Sequence, residues 1–170
     1  MMERPRSRKV AVVSIYAALY ASITLVEAFA TGPLAFGPVQ VRISDALLPT
    51  CAATGPPAAM GLALGCVVAN ALTTGSPIDV VLGSIANLLA GYASWRLRRR
   101  HVLIPALASA FIVTAIVASY LPLLFNVPWP LSYVGVLGGE LIACVVIGAP
   151  LTKKLQGALG PNLSRWAARG

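Results

Sequence analysis

Residues 10–30 read VAVVSIYAALYASITLVEAFA, an unbroken apolar run whose single charge, Glu27, lies near its end. As a helix rising about 1.5 Å per residue, such a run crosses the ~30 Å hydrocarbon layer of a bilayer. Its apolar residues cover every face, unlike the one-sided stripe of a helix on a soluble domain. Arg4, Arg6, Arg8 and Lys9 precede it. The same character holds along the chain: 58% of its 170 residues are hydrophobic and 11% charged, with a mean hydropathy of +0.81. A soluble domain carries about 25% charged residues, and one small core cannot bury this much apolar surface. An ordinary soluble enzyme, a disordered chain and a collagen-like chain are excluded. The expected fold is an all-α integral membrane protein, one multi-pass domain over residues 1–170 in the cytoplasmic membrane.

Five further apolar runs follow, at 43–54, 58–73, 78–95, 102–121 and 131–152, separated by turn formers. Gly32, Pro33, Gly37 and Pro38 fill the first connection, residues 31–40, which is placed to act as a lid. Gly55-Pro56-Pro57 and Thr74-Gly75-Ser76-Pro77 make the next two breaks, and residues 122–130 the last. The run at 43–54 is short for a span and carries Pro49, but charge parity requires it or a re-entrant pair. With six helices and both termini cytoplasmic, the tail 1–9, the Arg96–His101 loop and the tail 153–170 share one side. Of the 13 Lys and Arg residues, only Arg42 then lies outside, as the positive-inside bias demands. The net charge of +8 is therefore a topology and headgroup signal, not a nucleic-acid footprint. A competing reading takes Ala28-Phe29-Ala30 as a signal-peptide cleavage site, but the apolar run is longer than a ~7–15-residue signal core and Glu27 adjoins the cut.

Charged side chains inside a bilayer are costly unless paired or hydrated, which makes their positions informative. Glu27 ends the first run, Arg42 and Asp45 open the second, Asn70 ends the third and Asp79 opens the fourth. All five fall at the outer end in this topology, with Glu140 deeper in the sixth run. Each has a plain alternative. Asp79 after Pro77 suits an N-terminal cap, Arg42 and Asp45 at i, i+3 suit a pair, Asn70 suits a cap or an interhelical hydrogen bond, and Glu27 suits interfacial water. Their convergence points instead to a polar substrate pocket open to the outside.

Small-residue stripes at Gly61/Gly65, Gly83/Asn87/Gly91 and Gly135/Gly139 mark close helix approach. Ala17 and Ala21, flanked by Ser14, Ala18 and Ser22, give the first run a flat face suited to internal packing or to docking another membrane subunit. Cys51, Cys66 and Cys144 lie in apolar runs without metal-binding spacing. No Walker A loop, HExxH or GxSxG occurs, and His101 is the one histidine, so neither a cofactor nor catalysis is expected in this chain.

Three stretches, Val41-Arg42-Ile43-Ser44-Asp45-Ala46-Leu47-Leu48-Pro49, Gly61 to Asn70 and Ile78 to Ser84, resemble the QueT-type family. The resemblance is clearest over residues 40–96, and the chain departs from that pattern at Asp45 and Asn87, where Glu and Thr are usual. It implies a six-helix substrate-binding (S) component of an energy-coupling-factor transporter, assigned to a queuosine precursor, a flat 7-deazaguanine for which Tyr133, Trp129 and Phe125 are stacking candidates. It implies as partners a transmembrane coupling protein and two ATPase subunits that use ATP, and it raises Ala17 and Ala21 as docking residues. Alternatives are an S component for another vitamin or base, a proton-coupled carrier working through Glu140, and a structural membrane subunit.

Overall fold

The computed structural model describes residues 5–32, 37 and 40–167, with side chains described to residue 159. Arg4, Arg169 and most of the 31–40 connection, including its role as a lid, lie outside the described residues. Among these residues every regular element is helical: α1 (Pro5–Thr31), a 3-10 turn (Ile43–Leu47), α2 (Cys51–Thr54), α3 (Pro56–Thr73), α4 (Pro77–Arg96), α5 (Leu103–Phe125), α6 (Trp129–Glu140), a π-helical segment (Leu141–Gly148) and α7 (Ala149–Ala167). Prolines occupy the first helical positions of α3 and α4, where the missing N–H has no intrahelical partner to lose. Gly55 and Gly75 turn the chain at positive φ, and Asn126 ends α5 in the left-handed region.

Polarity is arranged inside out. Phe29 is 89% exposed and Leu123 and Val134 are 72% exposed, whereas Thr24, Asn70, Ser94 and Ser132 are fully enclosed. An apolar exterior around a polar interior suits hydrocarbon rather than water. Five helical stretches among the described residues are long and apolar enough to cross a membrane: Arg6–Thr31, Pro56–Thr73, Pro77–Arg96, Leu103–Phe125 and Trp129–Leu159.

The short segment at 43–54 is the exception. The continuous helix expected there is a 3-10 turn and the single-turn α2, separated by Pro49 and buried along most of its length. Proline cannot donate to a helical ladder, and the Asp45 carbonyl that Pro49 would serve instead receives the Leu48 N–H at 3.0 Å and the Cys144 thiol at 3.4 Å. Even so, the segment returns the chain. The Ile43 N–H bonds Glu27, Thr24 bonds Ser44, Tyr20 bonds Asp45, and Tyr16 bonds Thr50 and Thr54, a register antiparallel to α1. Gly61 meets Val13, Tyr16 and Ala17, and Gly65 meets Ala17 and Tyr20, so α3 runs parallel to α1. Two parallel neighbours require a return between them. The broken segment covers roughly 16 Å of α1, about half a bilayer.

Two other boundaries move. The fifth helix continues through Pro122 to Phe125, past the expected end at residue 121. Pro122 leaves the Ala118 carbonyl without its intrahelical donor, and the Ser132 hydroxyl of α6 supplies one at 3.3 Å. The sixth run does not end at 152 either; helix continues to Ala167 through the π-helical segment, so most of the expected C-terminal tail is helical.

Gly139 passes so close to the Gln40 backbone that a Cβ there would overlap the Gln40 carbonyl, whereas a Cβ on Gly138 meets nothing. Gly139→Ala should therefore lower thermal stability in detergent by about 1–3 kcal/mol, the range of an overpacked contact, with Gly138→Ala unchanged.

Candidate functional site

The chain has five acidic residues, and four of them, Glu27, Asp45, Asp79 and Glu140, are buried. So is Arg42, the one Lys or Arg outside the basic clusters. The guanidinium of Arg42 lies within electrostatic range of Asp45, Asp79 and Tyr20, and Glu27, Glu140 and Tyr120 in turn feel its charge. Glu27 comes from α1, Asp45 from the 3-10 turn, Asp79 from α4 and Glu140 from the end of α6, so four separate elements bring their acids around one cation.

Two walls can be distinguished. On one, Asp45 Oδ1 accepts the Tyr20 hydroxyl at 2.8 Å, and Glu140 lies near enough to Asp45 for the two acids to interact electrostatically. The Cys144 thiol lies 3.4 Å from both Glu140 Oε2 and the Asp45 carbonyl. On the other wall, Asp79 accepts Tyr120 at Oδ1 (2.5 Å) and Thr74 at Oδ2 (2.9 Å), and Asn70 Nδ2 donates to the Asp79 carbonyl at 3.0 Å. The hydrogen bonds of both Asp79 carboxylate oxygens go to Tyr120 and Thr74, so the acid is turned across the bundle toward α5. Asn70 is an interhelical hydrogen bonder, tying α3 to α4.

Glu27 is buried rather than facing interfacial water, and its Oε1 receives the Ile43 N–H at 2.8 Å, holding the start of the 3-10 turn. Buried polar atoms in this region with no partner among the described residues include Glu27 Oε2, Gln40 Oε1, Asn70 Oδ1 and Asn87 Nδ2. Buried polar groups in native proteins are overwhelmingly satisfied, so such orphans call for an explanation. Near the ends of α1, α3 and α5, a cleft of about 420 Å³ is lined by Phe29, Thr74 and Phe125, and the Thr74 hydroxyl that bonds Asp79 belongs to its rim.

The stacking candidates divide. Phe125 lines that cleft, but Trp129 is exposed and Tyr133 lines a separate, almost wholly apolar cleft with Phe111. The aromatic residues among the acids are Tyr20 and Tyr120, which the sequence reading missed because a tyrosine inside an apolar run carries no positional signal. Gln40 and Thr74 were missed because they lie in connecting segments, where polar residues are ordinary, and Cys144 was read only as a packing residue. Ala17 packs against Gly61 and Gly65, so internal packing occupies it, and both Ala17 and Ala21 are half-buried. The small residues flanking them, Ser14, Ala18 and Ser22, are exposed.

The fold and its interior thus define a helical membrane protein with a charged site enclosed in an apolar shell. The family model described as QueT transporter matches residues 10–157, and the chain belongs to that family. It is a transporter by family, which implies a small-molecule substrate and a membrane setting. No curated protein and no solved structure matches it.

Tyr120→Phe removes a donor from buried Asp79 and should destabilise by about 1–3 kcal/mol, since an unfilled buried acceptor bears the full desolvation penalty. Adding Asp79→Leu removes the acceptor as well. Thermal unfolding of the single and double variants should therefore give a total loss smaller than the sum of the two.

Proposed function

We propose that this transporter is the substrate-binding S component of an energy-coupling-factor importer, capturing a cationic 7-deazaguanine, an aminomethyl queuosine precursor, from outside the cell. The observation that carries this reading is the charge balance of the interior: four buried acids around one arginine, with buried polar atoms left unpartnered. Glu27 Oε2, Gln40 Oε1 and Asn70 Oδ1 among those atoms are acceptors. A guanine-like ring offers the converse, an N–H and an exocyclic amine beside one carbonyl, and a carboxylate matches such paired donors. The aminomethyl cation adds the positive charge that Arg42 alone leaves short. The Asp45–Glu140 wall receives the cation in this reading. Asp79, Asn70 and Asn87 face the ring edge, and Arg42 and Glu27 orient the carbonyl and the 3-10 turn. Tyr20 or Tyr120 is the ring platform.

The proposed topology has six crossings and both termini cytoplasmic. It is supported by the parallel α1 and α3, which need a return between them, and by the basic residues gathered at one end. Import then needs an external energy source, because the chain carries no nucleotide-binding loop. The transmembrane coupling protein docks on the flat face of α1, where Ser14, Ala18 and Ser22 are exposed beside the half-buried Ala17 and Ala21. ATP is used by the two partner ATPases, and the subunit reorients to release its ligand inside.

Thermal shift of the full-length protein in detergent should respond to the aminomethyl compound, since a ligand at 100 times its dissociation constant adds about 2.7 kcal/mol. The neutral nitrile analogue and guanine should give smaller shifts. Glu140→Gln should weaken the cationic ligand by roughly ten-fold, the ~1.4 kcal/mol scale of one charged contact, while barely changing the nitrile. Equal shifts for the cationic and neutral compounds would sink the charge assignment.

For transport, uptake in cells should require coexpressed coupling protein and ATPases. Ala18→Trp should abolish uptake while leaving the thermal shift intact. Uptake by this chain alone would refute the S-component reading.

A further inference from the structure

A second polar–apolar cavity lies at the opposite, basic end of the bundle, with a volume of about 550 Å³. Its polar rim is His101, Lys153 and Gln156, and its floor includes Val102, Val145 and Pro150. It is bounded by the α4–α5 loop, the start of α5 and the junction of the π-helical segment with α7. Cavities of this size hold small molecules.

Three observations say what belongs there. The rim is cationic without a nearby acid: Glu27, Asp45, Asp79 and Glu140, the acids of the described residues, surround Arg42, and Glu140 is some 20 Å from Lys153 along the helix. The His101 Nδ1 accepts the Leu103 N–H at 3.4 Å, which leaves Nε2 as the ring nitrogen able to donate outward. Finally, Tyr92 and Trp95 form an aromatic pair 5.2 Å apart, with Arg96 over both rings and Arg98 4.8 Å over Trp95. Such an aromatic–arginine belt marks the headgroup level of a bilayer. The cavity opens just beyond it in the chain, with a cationic rim and an apolar floor.

We propose that this cavity is a binding site for an anionic phospholipid, its phosphate held by His101 and Lys153 and the start of an acyl chain laid along Val102, Val145 and Pro150. A basic pocket between membrane helices suits an acidic headgroup, each cation near the surface contributing about 1 kcal/mol, or roughly five-fold in affinity. A free anion would leave the apolar floor uncovered, and a neutral lipid would leave the rim uncompensated. The site is independent of the Arg42 cluster and of the ligand assigned to it.

Native mass spectrometry of the full-length protein in neutral detergent, incubated with phosphatidylglycerol or phosphatidylcholine vesicles, tests this directly. Phosphatidylglycerol should stay bound under activation that strips phosphatidylcholine. Lys153→Gln should reduce that retention about five-fold, and adding His101→Gln should reduce it further. Lys153→Arg should retain it, as should Lys154→Gln, whose side chain is not part of the rim. Both rim residues are exposed, so the variants should melt like the parent without lipid. Equal retention of the two lipids would overturn the proposal. So would Lys154→Gln losing as much as Lys153→Gln, which would reveal diffuse charge only. Displacement of phosphatidylglycerol by millimolar inorganic phosphate would reassign the cavity to a free anion.

Discussion

A buried charge in a protein surrounded by hydrocarbon has no water to fall back on and must be held by other groups of the chain. Arg42 meets this constraint with carboxylates drawn from α1, the 3-10 turn, α4 and α6, and much of the architecture follows from gathering them. Those carboxylates are in turn fixed by Tyr20, Tyr120, Thr74 and the Ile43 N–H. Helices that would otherwise associate only through small-residue packing are thereby given a register. Moving one of them by a turn would strand an acid in an apolar environment.

The return segment between α1 and α3 illustrates the same constraint acting on the backbone. A polypeptide can leave the α-helix inside a membrane only where protein, rather than lipid, surrounds it. Residues 43–54 are enclosed by α1, α3, α4 and the π-helical segment, and their hydroxyl and amide groups are matched by Tyr16, Tyr20, Thr24 and Glu27. The π-helical stretch begins directly after Glu140, on the other side of the Asp45 pairing. Wider helical turns of this kind are often found at functional sites. Irregular backbone and charged side chains thus occupy the same part of the bundle.

The two ends of the bundle have complementary chemistry. Acids collect around Arg42, while arginines, lysines and interfacial aromatics collect at the other end, as residues at a headgroup level do. This asymmetry orients the protein and separates its two candidate ligand environments along the bundle.

How much of this was legible beforehand depends on whether a feature is local. Crossing a bilayer is decided by the summed transfer cost of consecutive residues, so the membrane class, five of the long spans and the grouping of basic residues could be read directly. The acids could be singled out for the same reason, since each is conspicuous against an apolar background. Partners are a different matter. That Asp79 would turn from its own helix end to Tyr120, that Glu140 would meet Asp45, and that Ala17 would be taken up by Gly61 and Gly65 depended on helix register. Likewise, residues 43–54 are broken and 122–125 helical because neighbouring side chains, including Ser132 at the Ala118 carbonyl, replace the hydrogen bonds that proline removes. The sequence by itself determined where the chain resides and which charges it must shelter, because both are properties of consecutive residues. Only the tertiary structure decided which groups shelter them, because hydrogen bonds between helices are set by packing at a distance.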